Sequence, residues 1–318
     1  MKAIKFVTAA LMAAAIGAVV PGGGMAYAAY NFTTLTDPLA TNGTFAEGIS
    51  GNVVVGYFNI GSVSHGFTYN VTSQVYNTLD IPAAASTNVN GIYGGTVVGT
   101  YVDGGAVSHG FSETGGVFST LTDPATPSPI TPRGYYGPTG TVVGFYFDPG
   151  GGSTGHGFSE AGGVYSTLNY PSGTILSTFA FGISETNGTV VGNYSDGTGS
   201  HAFTELGGVF ASLDDPSSSM DTRAYGMSGN TLVGLYSNAG NYHGFVETSG
   251  VWTTLDDPLA QAGAAGGAQG ISGTTIVGYY FDGTQNHGYV ATLVPEPASL
   301  ALVAMGCIGV LARRRRSA

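Results

Sequence analysis

Hydrophobic and polar positions alternate along most of this 318-residue chain in short runs broken by glycine, asparagine and aspartate. The run Val53-Val54-Val55-Gly56-Tyr57-Phe58 is β-branched and aromatic, the composition of a packed strand. It returns as Thr141-Val142-Val143-Gly144-Phe145-Tyr146 and Thr275-Ile276-Val277-Gly278-Tyr279-Tyr280, with glycine fixed at 56, 99, 144, 192, 234 and 278. Ahead of it stands a short piece such as Gly48-Ile49-Ser50, Gly182-Ile183-Ser184 or Gly270-Ile271-Ser272, then a tight turn such as Gly51-Asn52. Behind it, an Asp- or Asn-containing turn leads into a strand that begins with His-Gly-Phe. Asp103-Gly104, Asp196-Gly197 and Asp282-Gly283 read as hairpin turns, because both residues tolerate positive φ. A last strand follows, as in Val117-Phe118-Ser119-Thr120-Leu121, usually closed by Asp-Pro. Four antiparallel strands in about 44 residues is the size of one propeller blade.

The unit occurs six times. Its marks are His65-Gly66-Phe67, His109-Gly110-Phe111, His156-Gly157-Phe158, His201-Ala202-Phe203, His243-Gly244-Phe245 and His287-Gly288-Tyr289, which hold every histidine in the protein. Successive histidines are 44, 47, 45, 42 and 44 residues apart. The last-strand pattern is out of phase with them. One copy, Asn31 to Leu35, precedes any His-Gly-Phe, and none follows His287. One spare strand at the start and one missing at the end is what ring closure requires. The prediction is an all-β, six-bladed β-propeller of four-stranded blades, with the N-terminal strand completing the last blade. An open β-array or solenoid is the alternative.

The phase also orders the strands. If the Thr-Leu strand is outermost, Gly-Ile-Ser is innermost, where blades crowd the axis and small residues are needed. The turns between second and third strands then share a face with the blade-to-blade loops. The former carry Asp103, Asp148, Asp196 and Asp282, with Asn59 and Asn238 in the other two, and the latter Asp37, Asp123, Asp215 and Asp257. Acidic charge therefore concentrates on one side of the disc.

Both ends change the picture. Lys2 and Lys5, the apolar run Phe6 to Val20 and the small residues Ala26 and Ala28 have the layout of a secretory signal peptide over residues 1–28. The mature domain would then be residues 29–294. Of eight basic residues only Arg133 and Arg223 fall inside it, against 18 acids, leaving about −16. That charge excludes nucleic acid and disfavours an anionic membrane surface as partners. Cys307, the sole cysteine, lies beyond the domain, so no disulfide supports it.

Candidate chemistry is sparse. Metal ligands must converge on one ion about 2 Å from each, whereas one histidine per blade keeps six imidazoles apart. His65, His109, His156, His201, His243 and His287 are therefore read as structural, each bonded within its own blade, and no metal is assigned to them. Asp103, Asp148, Asp196 and Asp282 are ordinary turn residues that could alternatively form a ligand-binding face or hold Ca2+. No EF-hand loop, Gly-x-Ser-x-Gly elbow, His-Glu-x-x-His helix or phosphate loop is present, so no catalytic residue is assigned. Asn31, Asn42, Asn70 and Asn187 head Asn-x-Ser/Thr triplets and are read as turn residues.

Pro295-Glu296-Pro297, the 15-residue apolar stretch Ala298 to Ala312, and Arg313, Arg314, Arg315 and Arg316 close the chain in that order. The apolar stretch is short of the ~20 residues that cross a bilayer unaided, and the arginines hold its far end in the cytoplasm. Residues 295–318 resemble the PEP-CTERM sorting signal. The resemblance implies recognition by exosortase after signal peptidase has acted, transient membrane association, and removal of the tail near Pro295-Glu296-Pro297. The repeat itself resembles the extracellular His-Ala-Phe (HAF) repeats, unaltered here only at His201-Ala202-Phe203. Together they imply an exported protein, tethered through its C-terminus and then at the cell surface or in extracellular (biofilm) matrix. The expected role is non-enzymatic binding of extracellular polysaccharide or a surface protein. The alternatives are a secreted carbohydrate-active propeller enzyme, hydrolase or lyase, and an ice- or surface-binding protein.

Overall fold

A computed structural model describes residues 30–123, 128–149, 153–171 and 174–294. The signal peptide with Ala26 and Ala28, and the tail with Pro295, Glu296, Pro297 and Arg313 to Arg316, lie outside these residues.

The described residues form 24 strands in six four-stranded antiparallel sheets. Blades 1 to 5 each use four consecutive strands. Blade 6 takes three from the C-terminal end and its outermost from the N-terminus. That strand, Tyr30–Leu35, runs antiparallel to Asn286–Leu293, with Tyr30 opposite Leu293 and Leu35 opposite Gly288. The ring is closed, as the phase of the repeats requires. Leu35, 2 % exposed, joins Val277 and Val290 of blade 6 and Ala46, Val54 and Phe67 of blade 1 in one apolar cluster. The closing strand thus packs against the first blade as well as pairing within the last.

The core is built from layers between neighbouring blades. The aromatic residue of each His-x-aromatic unit, Phe67, Phe111, Phe158, Phe203, Phe245 and Tyr289, is fully buried there. Around the axis the first turns of neighbouring blades are latched. Ser50 Oγ accepts from Gly94 N at 3.1 Å, Thr186 Oγ1 from Gly229 N at 3.2 Å, Ser228 Oγ from Gly273 N at 3.1 Å, and Ser272 Oγ from Gly51 N at 3.0 Å. The serine that ends the innermost strand is thus an inter-blade clamp in blades 1, 5 and 6, whereas in blade 4 Thr186 takes that place and Ser184 Oγ accepts from Thr186 N within its own turn.

The innermost strands correct the sequence reading. They are seven or eight residues long, Thr44–Ser50 in blade 1 and Ser86–Tyr93 in blade 2, not the three of Gly-Ile-Ser. A β-bulge hides their upstream half. In blade 1 Ala46 faces Gly56 and Gly48 faces Val55, so Glu47 is an extra residue with no partner. The same shift recurs in every blade. An inserted residue breaks the period-two alternation by which strands are read.

The bulge also explains the fixed glycine of the second strand. It presses the inner strand's carbonyl onto that position. A Cβ added at Gly56 would meet Phe45 O at 1.9 Å, and one at Gly192 would meet Phe179 O at 1.9 Å. No side chain fits there.

Candidate functional site

The six bulges place one side chain each at the axis: Glu47, Asn90, Arg133, Phe181, Tyr225 and Gln269. These six alone line a constriction of about 10 Å³. A cavity of about 270 Å³ adjoins it, lined also by Tyr57, Asn88, Thr100, Thr131 and Tyr279. Asn88 and Thr131 precede the bulge on strands that descend from the blade-to-blade loops, so this cavity lies toward the aspartate-bearing face, here called the upper face. Toward the lower face a space of about 50 Å³ runs between Ile49, Ile92, Ile183, Ile271 and Glu185. Glu185 belongs to the turn of blade 4, and its Oε2 accepts from Ser272 Oγ at 3.0 Å, linking blade 4 to blade 6.

The ring has a definite electrostatic arrangement. Arg133 Nη1 lies 3.4 Å from Glu47 Oε2, and its guanidinium carbon is 5.4 Å from the centre of the Phe181 ring. Burial pushes the Glu47 carboxyl upward, and Arg133 opposes the shift. Burial, with the Glu47 charge adding to it, also raises the phenols of Tyr57 and Tyr279, and burial raises that of Tyr225. All three remain protonated at neutral pH and can donate hydrogen bonds. Asn90 Nδ2 donates to Pro132 O at 2.9 Å and Gln269 Nε2 to Gly266 O at 3.1 Å, which orients both amides. The Oδ1 of Asn88, a cavity-lining residue, is buried with no partner. The cavity therefore offers aromatic faces, amides and hydroxyls around one neutralised ion pair, and Glu47 is the one carboxylate among its lining residues.

The Arg133–Glu47 pair yields a pH-dependent prediction. Arg133→Met leaves Glu47, whose side chain is 7 % exposed, without its counter-charge, a change that costs ~3–5 kcal/mol in buried pairs. Its folded pKa then rises further above the unfolded value. A carboxyl raised in this way contributes stability below its unfolded pKa, and that contribution is lost as pH climbs through the folded value. The deficit of Arg133→Met should therefore be large at pH 7 and shrink toward pH 4. Adding Glu47→Gln should remove most of it. Urea unfolding of the three variants at both pH values measures this.

The residues singled out by sequence lie elsewhere. Each imidazole stacks on the aromatic residue of its own second strand: His65 on Phe58, His109 on Tyr101, His156 on Tyr146, His201 on Tyr194, His243 on Tyr236 and His287 on Tyr280, with centroids 4.9–5.4 Å apart. The stacking is common to all six, but the hydrogen bonds are not. Nδ1 meets Asp80 at 2.8 Å in blade 1 and Asp256 at 2.7 Å in blade 5. Nε2 meets Asp103, Asp148 and Asp282 at 2.9, 3.0 and 3.0 Å. His201 is held from both sides, by Asp214 at Nδ1 (2.9 Å) and Asp196 at Nε2 (3.4 Å). Desolvation depresses its basicity, yet the two carboxylates outweigh it and raise the pKa.

The hairpin-turn reading also needs correction. Asp103, Asp196 and Asp282 do not take positive φ, which falls instead on Ala106, Gly197 and Gly283. The aspartates work through their side chains. Asp103 Oδ1 accepts from Gly105 N and Val107 N, and Asp282 Oδ1 from Thr284 N and Gln285 N. The Val107 amide on Asp103, the Thr198 hydroxyl and amide on Asp196, and the Thr284 hydroxyl with the Gln285 amide on Asp282 hold these three carboxyls below the ordinary range. Asp103, Asp148, Asp196 and Asp282 stand on four different blades, and no group of three or more acidic, histidine or cysteine side chains suited to a metal occurs among the described residues. Asn31 and Asn70 are both strand residues, Asn70 the last of its strand, where its Oδ1 accepts from Thr72 N and Ser73 N of the following turn.

The axial ring went unread because its members share no residue type. The usable signal was the reverse of a motif. The residue before the glycine of the innermost strand is Glu, Asn, Arg, Phe, Tyr or Gln in a repeat that otherwise recurs closely.

Comparison with known proteins bears on the ends and the fold. The PEP-CTERM protein-sorting motif matches residues 293–316. No curated protein matches the chain. Among solved structures, a TolB-like protein from Agrobacterium tumefaciens is similar at a TM-score of 0.57 and 14 % identity, over 80 % of this chain and 91 % of that one. TolB from Acinetobacter baumannii is similar at a TM-score of 0.50 and 10 % identity, over 79 % of this chain. This chain spans 55 % of the length of that TolB. Among the described residues no helix is long and apolar enough to cross a membrane, and the apolar stretch Ala298 to Ala312 lies outside them. The chain is a six-bladed β-propeller that carries a C-terminal signal for export and membrane anchoring by exosortase sorting.

Proposed function

We propose that the mature domain is a non-enzymatic binding propeller, displayed at the cell surface or released into the extracellular matrix once the tail is cut near Pro295-Glu296-Pro297. Its ligand is a neutral sugar residue of an extracellular polymer, held in the upper axial cavity. One observation carries this reading: six side chains that differ in every blade converge on the axis of an otherwise repetitive ring. A purely structural disc does not need that variety, whereas recognition of an asymmetric ligand does. Tyr57, Tyr225, Tyr279 and Phe181 present aromatic surface, and Asn90, Gln269 and Thr131 present groups for sugar hydroxyls. Polyanions are disfavoured by the domain charge of about −16. At about 270 Å³ the cavity sits just below the ~300–1,000 Å³ of drug-sized pockets, so it suits one residue or a chain end. The resemblance to HAF repeats supports the extracellular location.

A screen of extracellular polysaccharides, read for both retention and product release, tests the reading. The expected result is saturable retention of a neutral glycan without turnover. Reproducible turnover that one aspartate substitution abolishes would replace it with the carbohydrate-active enzyme.

A further inference from the structure

Strand direction places both chain ends of the propeller on one face. The last strand, Asn286–Leu293, descends from the upper face, and the closing strand, Tyr30–Leu35, rises beside it, with Tyr30 opposite Leu293. Leu293 therefore ends at the lower face, opposite the cavity. Only Val294 to Pro297 separate it from Ala298, where the apolar stretch of the sorting motif begins. Five residue steps span at most about 17 Å even when fully extended. Whatever holds that stretch in a bilayer holds the lower rim of the disc close to it.

The two faces differ in charge. Every aspartate belongs to the turns and loops of the upper face, and the lower face carries glutamates tied into its own turns. Glu160 and Glu205 Oε1 accept from Gly163 N at 2.6 Å and Gly208 N at 2.7 Å, and both residues are buried. The outermost strands of blades 1 to 5 begin at the lower rim with Val75, Val117, Val164, Val209 and Val251, each 48–72 % exposed. Apolar side chains are exposed on the upper face too, among them Leu39 and Met220, so hydrophobicity alone does not choose between the faces. The short tether and the aspartates do, because only the lower face can reach the lipid without bringing the carboxylates of the upper face to it.

We infer that, before the tail is cut, the disc lies with its lower face on the bilayer, seated on the rim of outer-strand valines, with the axial cavity opening away from the membrane. The inference rests on the tail acting as a membrane segment. Cleavage near Pro295 removes the tether, and the disc leaves with its cavity already facing outward.

The test uses the chain with its tail intact and Cys307→Ser, in phosphatidylethanolamine–phosphatidylglycerol vesicles containing a headgroup-nitroxide lipid. A fluorophore is attached at Val164→Cys, on the lower rim of blade 3, or at Val107→Cys, on the upper face of blade 2. These side chains are 68 % and 49 % exposed, so the labels leave the core intact. Blade 3 is diametrically across the ring from blade 6, where the tether leaves. Quenching several-fold stronger at Val164 than at Val107 is the expected result. Equal quenching, or stronger quenching at Val107, overturns the seating, and a disc standing on the edge of blade 6 would leave the Val164 label unquenched. Failure of the protein to float with the vesicles overturns the membrane-segment reading of the tail, and the seating with it.

Discussion

Removal of Tyr30–Leu35 should unfold the entire propeller and not merely fray one end. The strand supplies the fourth member of blade 6, an uninterrupted six-pair register against Asn286–Leu293, and the buried Leu35 that packs into blade 1. Phe32 meets Tyr289 edge-on at a centroid distance of 5.3 Å. Burial of these side chains together with the lost ladder amounts to roughly 5 kcal/mol or more, comparable with the ~5–15 kcal/mol that holds a whole domain together. Deletion would also expose the edge of Asn286–Leu293 and strip Leu35 from the seam between blades 1 and 6. Calorimetry should show the melting transition of the truncated chain lowered by more than ~10 °C or absent. A transition within a degree or two of the intact protein would mean that the closure adds nothing.

Substitution of the fixed second-strand glycine should be nearly as damaging. Gly192→Val introduces a branched side chain where even a Cβ would lie 1.9 Å from Phe179 O and 2.9 Å from the Phe203 ring. Backbone, not a flexible side chain, blocks the position, so the bulge of blade 4 must move and Phe181 must leave the axis. Overpacking of a rigid core costs ~1–3 kcal/mol or more, which for a domain of this size lowers Tm by roughly 10 °C at the upper end. Gly95→Ala is the control, because a Cβ there meets nothing within 4 Å. Its melting curve should overlay that of the parent. If Gly192→Val melted as the control does, the close approach at the bulge would be wrong.

The sequence made the ring legible at long range and obscured it near the axis. The His-x-aromatic spacing and the spare strand at Asn31 to Leu35 identify six blades and their closure, because periodicity survives every local substitution. The fixed glycine was visible, but its reason was not. The carbonyl that excludes a side chain at Gly56 comes from Phe45, on a strand whose alternation is broken by Glu47. The same bulge concealed the axial ring, since its six members belong to no common chemical type. Conversely, the histidines and turn aspartates attracted attention because they recur. Stacking on a second-strand ring gives the histidines a local cause in every blade, and turn bonds give Asp103, Asp196 and Asp282 theirs in blades 2, 4 and 6. In a repeat fold the conspicuous positions are those every blade needs, and the positions that distinguish one protein from another are those that fail to repeat.

The most direct test of the account is titration calorimetry of the retained glycan against two variants. Tyr225→Phe combined with Gln269→Ala alters the axial ring without leaving an unpaired buried charge, whereas Asp103→Ala alters an upper-face turn and its bond to His109, away from the axis. Loss of two hydrogen bonds, at ~0.5–1.5 kcal/mol each, should weaken binding by about tenfold or more. The account predicts that loss in the ring variant and unchanged affinity in Asp103→Ala. Unchanged affinity in the ring variant with loss in Asp103→Ala would contradict it and move the site to the aspartate face.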